Sequence, residues 1–245
     1  MTIAARFEAM LSAVDDPHLA GAELLPERLA LACARMLPVD GAGLSVADHA
    51  GQRIPLGASS PDAACAERLQ FTAGDGPCTT AQTSREPVFG VLGDLYRRWP
   101  AFAELLATRT PFRAVVALPL REAIAGLGAI DLYFEREDDV PALDVFEAIA
   151  VGGLVTSALS EAAVWSDWPA ERGPDWLHGP AATKRAAVWE AMGKVSLALD
   201  VDAATALERM RSAARSAGRT VDEVAADLLT ARLDAEALRA GRRRG

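Results

Sequence analysis

Residues 166–182, SDWPAERGPDWLHGPAA, carry three prolines and two glycines and no apolar period. Before this segment the hydrophobic pattern is mixed α/β; after it the pattern is purely helical. A chain of 245 residues divided in this way is expected to fold as two units joined by a linker. The expected class is an α+β unit, an antiparallel sheet flanked by helices, followed by an all-α three-helix bundle.

In the first unit, AELLPERLALACARML (22–37) has an apolar stripe at helical spacing. GAGLSVAD (41–48) and RAVVALPL (113–120) are short β-prone runs, and GLGAIDLYF (126–134) is placed to pair with the latter as an antiparallel hairpin. A long helix is expected from about Pro141 through ALDVFEAIAVGGLVTSALSEAAVW. It is apolar nearly all round, which predicts burial against a sheet or a partner subunit, hence a homodimer. Gly152 and Gly153 inside it cost roughly 1 kcal/mol each relative to Ala, a cost that close helix–helix approach would offset.

The second unit reads as three amphipathic helices. Val188, Ala191, Met192, Val195 and Leu199 share one stripe. Leu207, Met210 and Ala214 form the next, with Asp202 as N-cap and Gly218 as the stop. Thr220-Val221-Asp222-Glu223 has the capping-box spacing that opens the third.

Charge is divided by unit. The chain carries a formal net charge of -9, yet residues 181–245 hold 12 Lys/Arg against 9 Asp/Glu and the first 180 hold 13 against 25. A balance of +3 opposite -12 permits docking of the basic unit on the acidic one, and with it autoinhibition. The N-terminus lacks the apolar core of a secretory signal. The longest uncharged apolar run, Ala148 to Ser160, is shorter than the roughly 20 residues a membrane helix needs. Cys33, Cys65 and Cys78 are odd in number and show no CxxC spacing. The expectation is a cytoplasmic protein with reduced thiols, no membrane contact, no metal and no cofactor. His18, His49 and His178 are too scattered for a local zinc motif.

The stretch ERMRSAARSAGRTVDEVA (208–225) concentrates Arg209, Arg211, Arg215 and Arg219. Arg211 and Arg215 are four apart and share a helix face, and Arg219 falls just past the Gly218 stop. Two readings compete. Cations at a helix C-terminus complement its macrodipole by about 0.3–1 kcal/mol each; guanidinium forks also match phosphate oxygens bidentately.

Residues 184–229, KRAAVWEAMGKVSLALDVDAATALERMRSAARSAGRTVDEVAADLL, resemble an ANTAR domain, the three-helix RNA-binding module of transcription antiterminators. The family features fall on Arg185, Ala191-Met192-Gly193, Met210 to Ala214, Gly218-Arg219-Thr220 and Val221 to Ala225. Met192 stands where the family has lysine, with Lys194 two places later. The resemblance implies stem-loop RNA as partner, bound through Arg211, Arg215, Arg219, Thr220 and Lys194. RLQFTAGDGPCTTAQTSREPVFGVLGDLYRRWPAF (68–102) resembles the signature of the GAF domains that accompany ANTAR domains. It implies a small-molecule sensor fold over residues 22–165.

Cys78 has two readings, a sensor thiol at a helix N-terminus or a small buried residue under a loop. Trp99 reads as a core anchor and Asp94 as a cap. No glycine-rich phosphate loop, Ser/His/Asp order or telling carboxylate pair is present, so no enzyme is expected. The expected organisation is an N-terminal helical extension (1–21), a sensor unit (22–165), a linker (166–182), an RNA-binding bundle (183–238) and a basic tail (239–245). The resulting expectation is a sensor-controlled transcription antiterminator. Alternatives are a DNA-binding helix-turn-helix, a thiol enzyme on a GAF fold, and a purely dimerising bundle.

Overall fold

The computed structural model describes residues 1–47, 53–123, 126–165 and 173–239, without the side chains of 121–127 and 165. The linker residues 166–172 and all but the first residue of the basic tail lie outside the described residues.

Five strands build one antiparallel sheet: β1 (Gly41–Ala47), β2 (Arg53–Ala58), β3 (Val88–Val91), β4 (Ala114–Ala123) and β5 (Gly126–Phe134), in the order β2-β1-β5-β4-β3. The expected hairpin is β4–β5, with Val116 opposite Leu132 and Leu118 opposite Ile130. Strand alternation sends side chains to two separate cores. Val116, Leu118, Ile130, Leu132 and Phe134 face one side, against α1 (Ile3–Ser12), α2 (Leu25–Met36) and α7 (Val145–Trp165). Val115, Ala117 and Tyr133 face the other, against α3 (Pro61–Ala73), α4 (Pro77–Ser84), α5 (Leu92–Arg98) and α6 (Pro100–Arg109).

Local signals account for most helix starts. Thr2 and Ser60 cap α1 and α3 by accepting from Ala5 and Ala63 N–H at 3.2 and 3.1 Å. Proline opens α3, α4 and α6, where its missing N–H is no loss. Gly74 ends α3 with φ +91°, a left-handed cap that an L side chain adopts only under strain. Trp99 is 6% exposed and anchors the start of α6, as expected. Asp94 caps nothing: it sits inside the first turn of α5 and pairs with Arg97.

The long helix α7 starts at Val145, four residues after Pro141, which belongs to a 3₁₀ turn over Glu137–Ala142. By length and composition it is apolar enough to cross a membrane. Here Val151, Val155, Leu159 and Ala163 enter the first core, and Glu147 pairs with Arg6 of α1 at 2.6 Å. Of the two glycines, Gly152 lies against Leu120 of β4, where an added Cβ would stand 3.4 Å away; Gly153 faces open space. Gly152 therefore serves helix–sheet contact, while Gly153 leaves that face of α7 open.

The linker assignment also needs correction at its C-terminal end. Within 166–182, residues Asp175–His178 form a 3₁₀ turn and the next helix begins at Pro180. Trp176 is 2% exposed, buried in the first core, and donates from Nε1 to the Leu159 carbonyl at 3.1 Å. Burial of an indole outweighs the turn-forming composition around it.

Three helices follow: α8 (Pro180–Leu199), α9 (Ala203–Ser216) and α10 (Val221–Leu229). Asp202 caps α9, the capping box of Thr220 and Glu223 opens α10, and Gly218 takes φ +61° between them. Their core contains Val188, Ala191, Val195, Met210, Ala214, Val224 and Leu228. It also contains Phe71, which comes from the end of α3 in the N-terminal unit.

Candidate nucleic-acid interface

The arginine face of α9 meets the C-terminal end of α3. The last turn of any helix leaves carbonyl oxygens without intrahelical partners and carries the negative end of the macrodipole. Arg211 Nε donates to the Phe71 carbonyl at 3.1 Å, and Arg215 Nη1 to the carbonyls of Thr72 and Ala73 at 3.4 Å each. The cations expected to complement the C-terminus of their own helix thus complement that of another unit. Arg215 also pairs with Glu208 at 2.6 Å.

Phe71 is the centre of this contact. The Arg185 guanidinium carbon lies 3.4 Å from the ring centroid and that of Arg211 4.8 Å, while Trp189 meets the ring edge-on at 5.6 Å. Cations over an aromatic face gain about 0.5–2 kcal/mol, most where water is excluded. Arg185 is 1% exposed, and its nearest carboxylate, on Asp222, is 3.7 Å away. Burial with so distant a counter-charge pulls its guanidinium down to about 10. Burial likewise lowers Arg211.

Two further contacts lock the junction. Thr72 Oγ1 accepts from Val221 N–H at 2.9 Å, at the start of α10. Arg109 of α6 donates to the Gly218 carbonyl and pairs with Glu223 at 3.2 Å. This ion pair runs against the charge partition: the acidic unit supplies the cation and the basic unit the anion.

Of the five candidate RNA contacts, then, Arg211 and Arg215 are brought together on α3. Arg219 is not with them; it pairs with Asp227 at 2.7 Å and donates to the Glu223 carbonyl. Thr220 is 2% exposed and occupied as the N-cap of α10. Lys194 donates to the Leu228 carbonyl at 2.6 Å, at the end of α10. Of the three arginines that the sequence places on and just after α9, Arg211 and Arg215 converge and Arg219 does not.

A second polar cluster, unforeseen in the sequence, lies inside the N-terminal unit between the sheet and α3. Arg53 of β2 donates to Glu67 at 2.5 Å, to Asp131 at 2.7 Å and to the Ser45 hydroxyl at 2.9 Å. Tyr133 donates to Glu67 at 2.7 Å and Gln70 to Asp131 at 3.0 Å. Gly43 of β1 makes room, since a Cβ there would collide with the Glu67 carboxylate. Burial, then the neighbouring Glu67, pushes the Asp131 carboxyl well above the usual carboxylate range. One guanidinium facing two buried carboxylates leaves one negative charge in excess, which favours the protonated form of Asp131.

Cys78 borders this cluster, with its backbone N–H donating to Gln70 at 2.7 Å and its sulfur 3.4 Å from Ser45 Oγ. It is fully buried, and burial pushes its thiol well above the ordinary range, which is the opposite of a reactive thiolate. Helix α3 connects the two clusters: Glu67 and Gln70 reach the sheet, while Phe71 and Thr72 reach the bundle. The one signal available beforehand was Asp131, a charge at a core-facing position of an apolar strand.

No family model matches the chain, and no curated protein matches it. Among solved structures it is similar to the GAF domain of an Acinetobacter phosphoenolpyruvate-protein phosphotransferase, at 8% identity and TM-score 0.42 over 67% of this chain and 98% of that one. The corresponding GAF domain from Coxiella burnetii gives 14% identity and TM-score 0.39 over 66% and 99%. SdiA in complex with octanoyl-rac-glycerol gives 12% and 0.41 over 93% of each chain. At these identities and scores none of the three says what this chain does.

Proposed function

We propose that this chain is a sensor-controlled RNA-binding regulator, a transcription antiterminator whose α9 arginines take hold of stem-loop RNA when the bundle leaves α3. The observation that carries the reading is the nature of the partners of Arg211 and Arg215. The N-terminal unit holds them with an aromatic ring and three carbonyl oxygens, and with no carboxylate among its described residues. Neutral acceptors of this kind are weaker partners than the charged oxygens of a phosphate backbone. The ANTAR-like order of residues 184–229 and the GAF-like signature of 68–102 support the same assignment.

Self-association has its own support. Phe146, Ile149 and Val164 of α7 are 85%, 47% and 69% exposed. DNA binding is the weaker alternative, because α10, which would serve as recognition helix, carries Asp222, Glu223 and Asp227.

The test is binding of the full chain and of Arg211→Ala to a paired-hairpin RNA across a salt series, with duplex DNA as control. Hairpin-selective binding that weakens with salt, and at least a tenfold loss on substitution, is the expected result. Equal affinity for duplex DNA, or no change on substitution, would sink the reading.

A further inference from the structure

A cavity of about 160 Å³ lies at the junction, walled by the start of α2, strand β2, α3, the first turn of α8 and the start of α10. Three acidic residues, Glu27, Glu67 and Asp222, and two basic ones, Arg68 and Lys184, line it. Glu27 and Asp222 each keep one buried carboxylate oxygen with no hydrogen-bond partner. Arg68 and Lys184 make no side-chain hydrogen bond or ion pair among the described residues. Opposite charges line one small space without closing on one another, and Asp222 reaches only Arg185, at 3.7 Å. A buried acceptor without a donor costs about 1–3 kcal/mol. Glu67 lines the cavity too, but Arg53 and Tyr133 already occupy its carboxylate.

We propose that this cavity binds a free α-amino acid, its ammonium taken by Glu27 and Asp222 and its carboxylate by Arg68 and Lys184. A carboxylate alone would leave the buried oxygens of Glu27 and Asp222 unmatched, and an amine alone would leave the partly exposed Arg68 and the exposed Lys184 to water. Pro180 and Ala181 open α8 at the cavity wall, so the positive end of a 20-residue helix also favours an anion there. Size restricts the choice: a cavity of roughly 150 Å³ accepts a benzene ring, so about six to nine non-hydrogen atoms fit. Glu27 and Arg68 belong to the N-terminal unit, Lys184 and Asp222 to the bundle. The complete site exists only when the units are docked, so the ligand stabilises docking by mass action. The assignment stands on the cavity and is independent of RNA binding.

The experiment titrates the full chain with each of the twenty standard amino acids by calorimetry and thermal shift, without RNA. The expected result is binding and a raised Tm with at least one small member. Its amide and its deaminated analogue should each bind at least tenfold more weakly. Glu27→Gln and Lys184→Met, both at incompletely buried positions, should each weaken binding at least tenfold while keeping a cooperative melt. Binding by none of the twenty overturns the proposal, as does binding unaltered in both variants. A loss confined to one variant overturns the two-headed site.

Discussion

The interior of the N-terminal unit and its junction with the bundle both bury arginine, and they satisfy it in different ways. Arg53 meets two carboxylates and a hydroxyl, all within 2.9 Å. Arg185 and Arg211 meet a ring and a backbone carbonyl, with the nearest carboxylate of Arg185 at 3.7 Å. The first arrangement sets its guanidinium against two carboxylates at short distance, although Arg53 Nη1 and Asp131 Oδ1 keep no hydrogen-bond partner among the described residues. The second leaves guanidinium groups in neutral company, where a better anion can displace what holds them. Charge partition alone would place carboxylates opposite the arginines. The structure instead uses Phe71 and the end of a helix, and the cross-unit ion pair among the described residues, Arg109–Glu223, has the reverse polarity.

Breaking the Arg53 cluster should produce the largest effect. Arg53→Met leaves Glu67 and Asp131 buried without their cation, at an expected cost of about 3–5 kcal/mol near neutral pH in urea unfolding. Since the Asp131 carboxyl already tends toward its protonated form, this cost should shrink as pH falls. A loss that does not change with pH would mean that Arg53 acts through packing alone.

Phe71→Ala should come next, at about 3 kcal/mol, and its damage should be local. Hydrogen exchange is expected to quicken in α8, α9 and α10 while β4 and β5 stay protected. Uniform loss of protection would show the junction to be as integral as the sheet core and would erase the contrast.

The smallest effect belongs to Glu27 at the junction, whose carboxyl burial raises from 4.5 to about 7, against a partly compensating backbone hydrogen bond and with a push from Glu23. The folded state therefore binds more protons than the unfolded chain between these values. Its stabilising contribution is present below pH 4.5 and is lost as pH rises through about 7. After solvent screening of a half-buried group, the loss is about 1–2 kcal/mol. Glu27→Gln should flatten this part of the stability profile, and an unchanged profile would assign the pH dependence elsewhere.

Local chemistry made much of the fold legible. Short β-prone runs marked β4 and β5, and Asp202, Gly218 and the Thr220–Glu223 box marked the ends of the bundle helices. Long-range pairing was not legible. Asp131 meets Gln70 and Arg53 from 61 and 78 residues away, and nothing nearby announces that a charge in a strand will be buried. Phe71 falls in the 68–102 stretch read only for its family signature, and helical period does not say into whose core the last turn of α3 projects. Trp176 was hidden by its prolines and glycines, which report backbone preference and are silent on what an indole will bury.

That tryptophan has a kinetic consequence. With Trp176 fixed in the sheet core and α8 starting at Pro180, three residues tether the bundle. Fully extended they span only about 10 Å. A bundle that lets go of α3 remains beside its berth at an effective concentration in the millimolar range. Recapture is then intramolecular and fast, and any partner claiming the arginines competes with it at every moment. Under the proposed function, such a tether would make release graded with the competitor's occupancy and reversible once the competitor is gone.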